Sequence, residues 1–164
     1  MIRPQTYDLF ISAVARDGRS AAGTVLRGSA GTTLRVTSRG FGAIPRVQAS
    51  YRTLLRALWH ARSVGARRLR VYTDDAELVA ELDGQVDVPA EHIGLHLQVR
   101  AMLNAYRWSS VQLIPRQQNS EAALAAADAL ERQAVAGAEA DEVETLPLWL
   151  SSELTATGMG RVAR

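Results

Sequence analysis

The spacing of apolar residues changes period several times along this chain, and each change marks an element. Residues 7–15 form a β-rich apolar run and predict a first strand. The Arg16-Asp17-Gly18-Arg19 stretch that follows holds Asp-Gly, a strong hairpin signal. A second strand over 21–27 is therefore expected to fold back on the first. A second turn, Gly28-Ser29-Ala30-Gly31, leads to a third strand over 32–41, where Thr33, Arg35, Thr37 and Arg39 alternate with Leu34, Val36 and Ser38. Three strands joined by short turns make an antiparallel meander.

A helical period takes over after Pro45. Val47, Tyr51, Leu54, Leu55, Leu58 and Ala61 share one face of a helix over 47–64, with Arg52 and Arg56 outside and Gly65 ending it. Residues 69–72 predict a short buried strand, and 76–82 a short helix. An extended loop at 85–89 precedes a helix over 90–106, expected to bury Ile93, Leu97, Met102, Leu103 and Tyr106 in part. A last strand is expected over 110–115, then an alanine-rich helix from 120 to about 138.

The order β-β-β-α-β-α-α-β-α predicts an α/β fold. Right-handed crossovers place parallel strands beside the meander, giving a mixed five-stranded sheet with helices on both faces. One domain over 1–138 is expected, followed by a tail over 139–164. The tail is acidic through Glu144, carries the apolar patch Leu146-Pro147-Leu148-Trp149-Leu150, and is expected to be mobile in part.

Composition narrows the function classes. The 164 residues contain no cysteine, which excludes disulfides, a thiolate nucleophile and cysteine metal sites. Residues 1–5 do not read as the start of a signal peptide, and no apolar stretch approaches the roughly 18 residues of a membrane span. A soluble, cytoplasmic protein without a membrane partner is expected. The net charge is only +2, yet it is unevenly distributed. Thirteen arginines stand against Asp8 and Asp17 up to Thr73, and six against fifteen acids beyond it. Every basic residue is arginine, whose planar fork suits phosphate. Such a split implies either one basic face or two halves that neutralise each other.

Candidate chemistry centres on Asp74 and Asp75, at the end of the predicted 69–72 strand. A carboxylate there is where α/β folds commonly hold a metal, while Asp75 is also placed to cap the following helix. His92 and His96, four apart on a predicted helix, have the spacing of a zinc pair but lack an obvious third ligand beyond Glu91, so packing histidines are the simpler reading. His60, Trp59 and Trp108 read as structural, and Trp149 as a candidate partner contact.

Three stretches, in this order, carry a resemblance. Residues 18–27, Gly-Arg-Ser-Ala-Ala-Gly-Thr-Val-Leu-Arg, resemble a glycine-rich second strand of the ribonuclease H superfamily in its single-domain bacterial and plant form. Val71-Tyr72-Thr73-Asp74-Asp75 resembles that family's strand-end "TDS", and residues 114–123, Ile-Pro-Arg-Gln-Gln-Asn-Ser-Glu-Ala-Ala, its "VPRExNxxAD". The resemblance implies cleavage of the RNA strand of an RNA–DNA hybrid by two divalent ions about 4 Å apart, held by four carboxylates. Only Asp74 matches one of them. Ser50 stands at the first-helix glutamate and Ala123 at the last-helix aspartate. The first-strand aspartate falls on Ser12, or on Phe10 by a gap-free count back from Gly23; neither is charged. Glu121 would point away, since two helical residues are about 200° apart.

The resemblance therefore implies a degenerate active site in which Asp74 is at most a vestigial metal ligand. No cofactor is expected, with Mg²⁺ or Mn²⁺ relevant only to residual activity. The expected function is non-catalytic nucleic-acid binding, to an RNA–DNA hybrid or single strand, through Arg16, Arg19, Arg46, Gln48, Arg52, Arg116 and Asn119. The alternatives are an interaction scaffold that self-associates through its basic and acidic halves or the 146–150 patch, and a residual hybrid ribonuclease.

Overall fold

The computed structural model describes residues 4–136 and 143–145. Strand β1 (Thr6–Arg16) turns into β2 (Arg19–Arg27) through Asp17 and Gly18 alone, at φ 53° and 71°. Two successive positive φ values define the hairpin turn whose twist matches the strands, and glycine meets the second without strain. Strand β3 (Thr33–Gly42) completes the meander, antiparallel to β2. Helix α1 (Arg46–Ser63) buries Val47, Tyr51, Leu54, Leu58 and Ala61 and leaves Arg52 and Arg56 exposed, as its apolar period predicts.

Strand β4 (Arg68–Thr73) pairs parallel to β1, and β5 (Trp108–Leu113) parallel to β4. Between them lie α2 (Ala76–Leu82), a 3₁₀ turn (Ala90–His92) and α3 (Ile93–Asn104). Helix α4 (Ser120–Ala136) follows a second 3₁₀ turn (Arg116–Gln118). The expected mixed sheet is present, in the order β5-β4-β1-β2-β3, with helices on both faces. Leu9, Ile11, Leu69 and Val71 pack on one face against Tyr51, Leu54, Leu58, Leu78, Val99 and Leu103.

Helix α4 lies across β1, β2 and β3 on the other face. Its approach is set by Gly23, where a Cβ would lie 2.5 Å from the Ala122 carbonyl oxygen and 2.7 Å from the Ala126 nitrogen. Only a residue without a side chain admits a helix so close to the strand.

Three expectations are corrected. Strand β6 (Val143–Thr145), within the expected tail, pairs antiparallel with β3 at Val36–Ser38 and adds a sixth strand. Trp59 is 61% exposed rather than packed. Ile93 and Leu97 are exposed as well, because the buried face of α3 is set by Val99, Met102 and Leu103, and Leu97 lies about 200° round from Val99. The 146–150 patch and Trp149 lie outside the described residues. No described helix is long and apolar enough to cross a membrane.

Candidate nucleic-acid interface and its acidic centre

The ends of β1 and β4 place the central groups. Their parallel register pairs Ile11 with Thr73, so the next residues, Ser12 and Asp74, are neighbours. Ser12 Oγ donates to Asp74 Oδ2 at 3.2 Å. This settles which β1 residue meets Asp74: it is Ser12, opposite Gly23, while Phe10 lies two residues back and stacks on Tyr72. Asn119 Nδ2 donates to the Ile11 carbonyl at 2.7 Å and to Asp74 Oδ1 at 3.1 Å. Both Asp74 oxygens thus accept from neutral donors. Asn119 is only 2% exposed and braces β1 against the approach to α4 instead of facing solvent.

Asp75 turns inward. Its Oδ1 accepts the Leu78 N–H at 3.3 Å, which caps α2 as expected, and its backbone N–H donates to Thr73 Oγ1 at 3.1 Å. Ser50 Oγ donates to Asp75 Oδ2 at 2.5 Å, and Arg46 Nη1 meets the same oxygen at 2.6 Å. Arg46 Nη2 also reaches Glu77 Oε1 at 3.1 Å. Burial works against the Arg46 charge, but the hydrogen bond to Asp75 and the negative charges of Asp75, Glu77 and Asp74 outweigh it, so its pKa rises above the ordinary arginine value. Arg46, Asp74, Glu77 and Arg116 line an open groove of about 640 Å³ across the strand ends.

The other expected contacts scatter. Arg16 pairs with Glu131 at 2.9 Å, and Arg19 donates to the Gln133 carbonyl at 3.5 Å, both on α4. Exposed Arg52 lines a small separate cavity between α1 and β2–β3, and Gln48 is half-buried. Ala123 is buried in the first turn of α4, where its N–H donates to the Asn119 carbonyl. Glu121 points away from Asp74 and binds Arg27 at 2.8 Å. Arg16–Glu131, Arg27–Glu121, Arg46–Asp75 and Arg46–Glu77 join the basic and acidic halves within one chain. The partner of Arg46 is the feature missed from sequence; the only signal for it was an arginine opening one helix and an aspartate capping another.

His92 and His96 both meet the Tyr51–Glu81 pair and serve its hydrogen bonds. His92 Nδ1 lies 3.0 Å from buried Glu81, and His96 Nδ1 lies 3.1 Å from the Tyr51 hydroxyl, which itself donates to Glu81 at 2.7 Å. Among the described residues, no three histidine, aspartate or glutamate side chains are grouped to hold a metal ion.

Residues 11–129 match the model of a family described as reverse transcriptase-like. The chain belongs to this family, within the ribonuclease H superfamily. It is similar in structure to ribonuclease H1 of Halobacterium salinarum NRC-1, with 22% identity, 77% of this chain and 98% of that one covered, and a TM-score of 0.72. The N-terminal RNase H domain of a Mycobacterium tuberculosis protein, solved as a fusion with maltose-binding protein, gives 24%, 81% and 99%, with a TM-score of 0.75. LC11-RNase H1, solved with an RNA/DNA hybrid, gives 19%, 77% and 97%, with a TM-score of 0.70. No curated protein matches the chain by sequence.

Proposed function

We propose that this chain is a nucleic-acid-binding module on a ribonuclease H scaffold whose metal site has been dismantled. The observation that carries this reading is the donor set at the strand ends. Asp74 is held by a hydroxyl and an amide, and Asp75 by a hydroxyl, a backbone N–H and a guanidinium. Two divalent ions need several anionic oxygens free to coordinate, and neutral oxygens are poor substitutes for them. The residues present do not fit the ions that the fold family implies. Arg46 is a tethered cation beside the two carboxylates, doing by ion pairing what a metal would do by coordination.

Binding is supported by Arg46 and Arg116 on the walls of the groove and by the solved complex of the similar LC11-RNase H1 with a hybrid. A gel-shift series with an RNA–DNA hybrid should show affinity that falls steeply with salt, as phosphate contacts require. Cleavage of that hybrid in Mg²⁺ or Mn²⁺, abolished by Asp74→Asn, would sink the proposal. Restoring the acids together, as Ser12→Asp, Ser50→Glu and Ala123→Asp, should produce metal-dependent cleavage.

A further inference from the structure

Helix α4 covers only part of its face of the sheet, and the rest carries an ordered array of rings and guanidiniums. Alternation sets the array, because Leu9, Leu69 and Val71 face the core and their neighbours must face the other way. The strand registers then line up three rows. Phe10, Tyr72 and Gln112 form the first; Arg27, Asp8, Arg70 and Ser110 the second; Thr6, Arg68 and Trp108 the third.

The contacts within these rows are specific. Phe10 and Tyr72 stack with centroids 4.9 Å apart and planes 20° from parallel. The Arg27 guanidinium lies 4.9 Å from the Phe10 centroid, and that of Arg68 lies 5.1 Å from the Trp108 ring. Asp8 binds Arg70 through two hydrogen bonds of 2.6 and 3.1 Å, whose effect is to raise the arginine pKa. Phe10 is engaged by both Arg27 and Tyr72, while Tyr72 itself is half-buried and its register partner on β5, Gln112, is exposed. Trp108 is 39% exposed.

Beyond the third row, Arg67, Arg68 and Arg107 line a cleft of about 360 Å³ with Tyr7 and Gly65, and among the described residues no acid lines it. Arg68 Nε is buried there with no hydrogen-bond acceptor.

We propose that this open half-face is a second nucleic-acid site, specific for single strands. Bases stack on Tyr72 and Trp108, Gln112 meets a base edge, and the three-arginine cleft takes a phosphate. A duplex keeps its base faces stacked internally, whereas a single strand offers them to aromatic side chains. The charge also selects a polyanion: Asp8 and Glu121 are engaged with Arg70 and Arg27, which leaves the arginine cleft without an acid among the described residues. This surface does not depend on the groove at Asp74.

The test uses the full chain with a fluorescent oligothymidylate and a separate RNA–DNA hybrid, each at several salt concentrations. Trp108→Ala and Arg107→Ala should each weaken the single strand by about fivefold or more, since a stacked base contributes ~1 kcal/mol or more. Arg116→Ala, in the groove, should leave single-strand affinity within about twofold and weaken the hybrid. Tryptophan fluorescence should be quenched by the oligonucleotide and lose that quenching in Trp108→Ala. Single-strand binding that ignores Trp108 and Arg107 but is lost in Arg116→Ala would overturn this inference and leave the groove reading intact. No single-strand binding at low salt, or a dimer that Trp108→Ala dissociates, would overturn it too. Loss of hybrid binding alone would instead count against the groove.

Discussion

Arg46 and Asp75 meet at 2.6 Å from the starts of two different helices, α1 and α2. A cation in the first turn opposes the helix dipole, so Arg46 is tolerated at the start of α1 only because acids from α2 offset it. Arg46→Gln should lower unfolding stability by about 1–2 kcal/mol, less than a fully buried pair because a third of the arginine is exposed. Urea denaturation reads the change, and an unaltered midpoint would show that Ser50 and the Leu78 N–H suffice for Asp75.

Gly23→Ala should be among the most damaging single-methyl changes in the chain. The new Cβ would run into the Ala122 and Ala126 backbone, which cannot step aside without moving α4, at a cost of about 3 kcal/mol. Gly28→Ala is the control: a Cβ there makes ordinary contact with Leu34 at 3.5 Å, and the expected change is within about 0.5 kcal/mol. Equal effects of the two in thermal or urea unfolding would contradict the packing at β2.

Glu81 joins α2 to its neighbours by accepting from Tyr51 and holding His92. Glu81→Leu takes the carboxylate from buried His92 and leaves the Tyr51 hydroxyl only His96, and should cost about 2–4 kcal/mol. A double-mutant cycle with Tyr51→Phe should return a coupling of about 1 kcal/mol or more. Strict additivity would mean that the two side chains do not share a bond in solution.

Tyrosine ionisation gives a pH test. Burial, followed by the bond to Glu81, raises the Tyr51 pKa, and burial raises that of Tyr106 to about 12. The Tyr106 hydroxyl donates to the Leu58 carbonyl at 2.6 Å. The unfolded value is about 10, so their contribution to stability is complete below that pH and is lost as pH rises through the folded values. An ultraviolet titration should show these two rings ionising late, together with alkaline unfolding. Tyr51→Phe and Tyr106→Phe should each reduce that late phase, and persistence of its full amplitude would refute the assignment.

The elements and their pairing were legible because the hydrophobic period alone distinguishes Leu54-Leu58 from Leu69-Val71. The sequence left the first-strand position open between Ser12 and Phe10, and the turn decides it. A two-residue Asp17-Gly18 loop opposes Arg16 to Arg19, and that register carries Ser12 opposite Gly23. What sequence hid was the choice of partner. Arg27 and Glu121 are 94 residues apart, and Arg46 and Asp75 belong to different helices, so their meeting depends on how the elements dock. Trp59 was misplaced for the opposite reason: its size suggested packing, but its position on α1 faces away from the core.

Strand β6 occupies Val36–Ser38, the middle of the outer margin of β3. That leaves only short stretches of unpaired backbone on this side, whereas β5 presents the whole outer margin of a six-residue strand among the described residues. Recruitment by strand addition is therefore lopsided. An extended segment from another molecule would enter beside Trp108 and Gln112, lengthening the sheet in one direction only and deepening the shelf on which bases are proposed to lie.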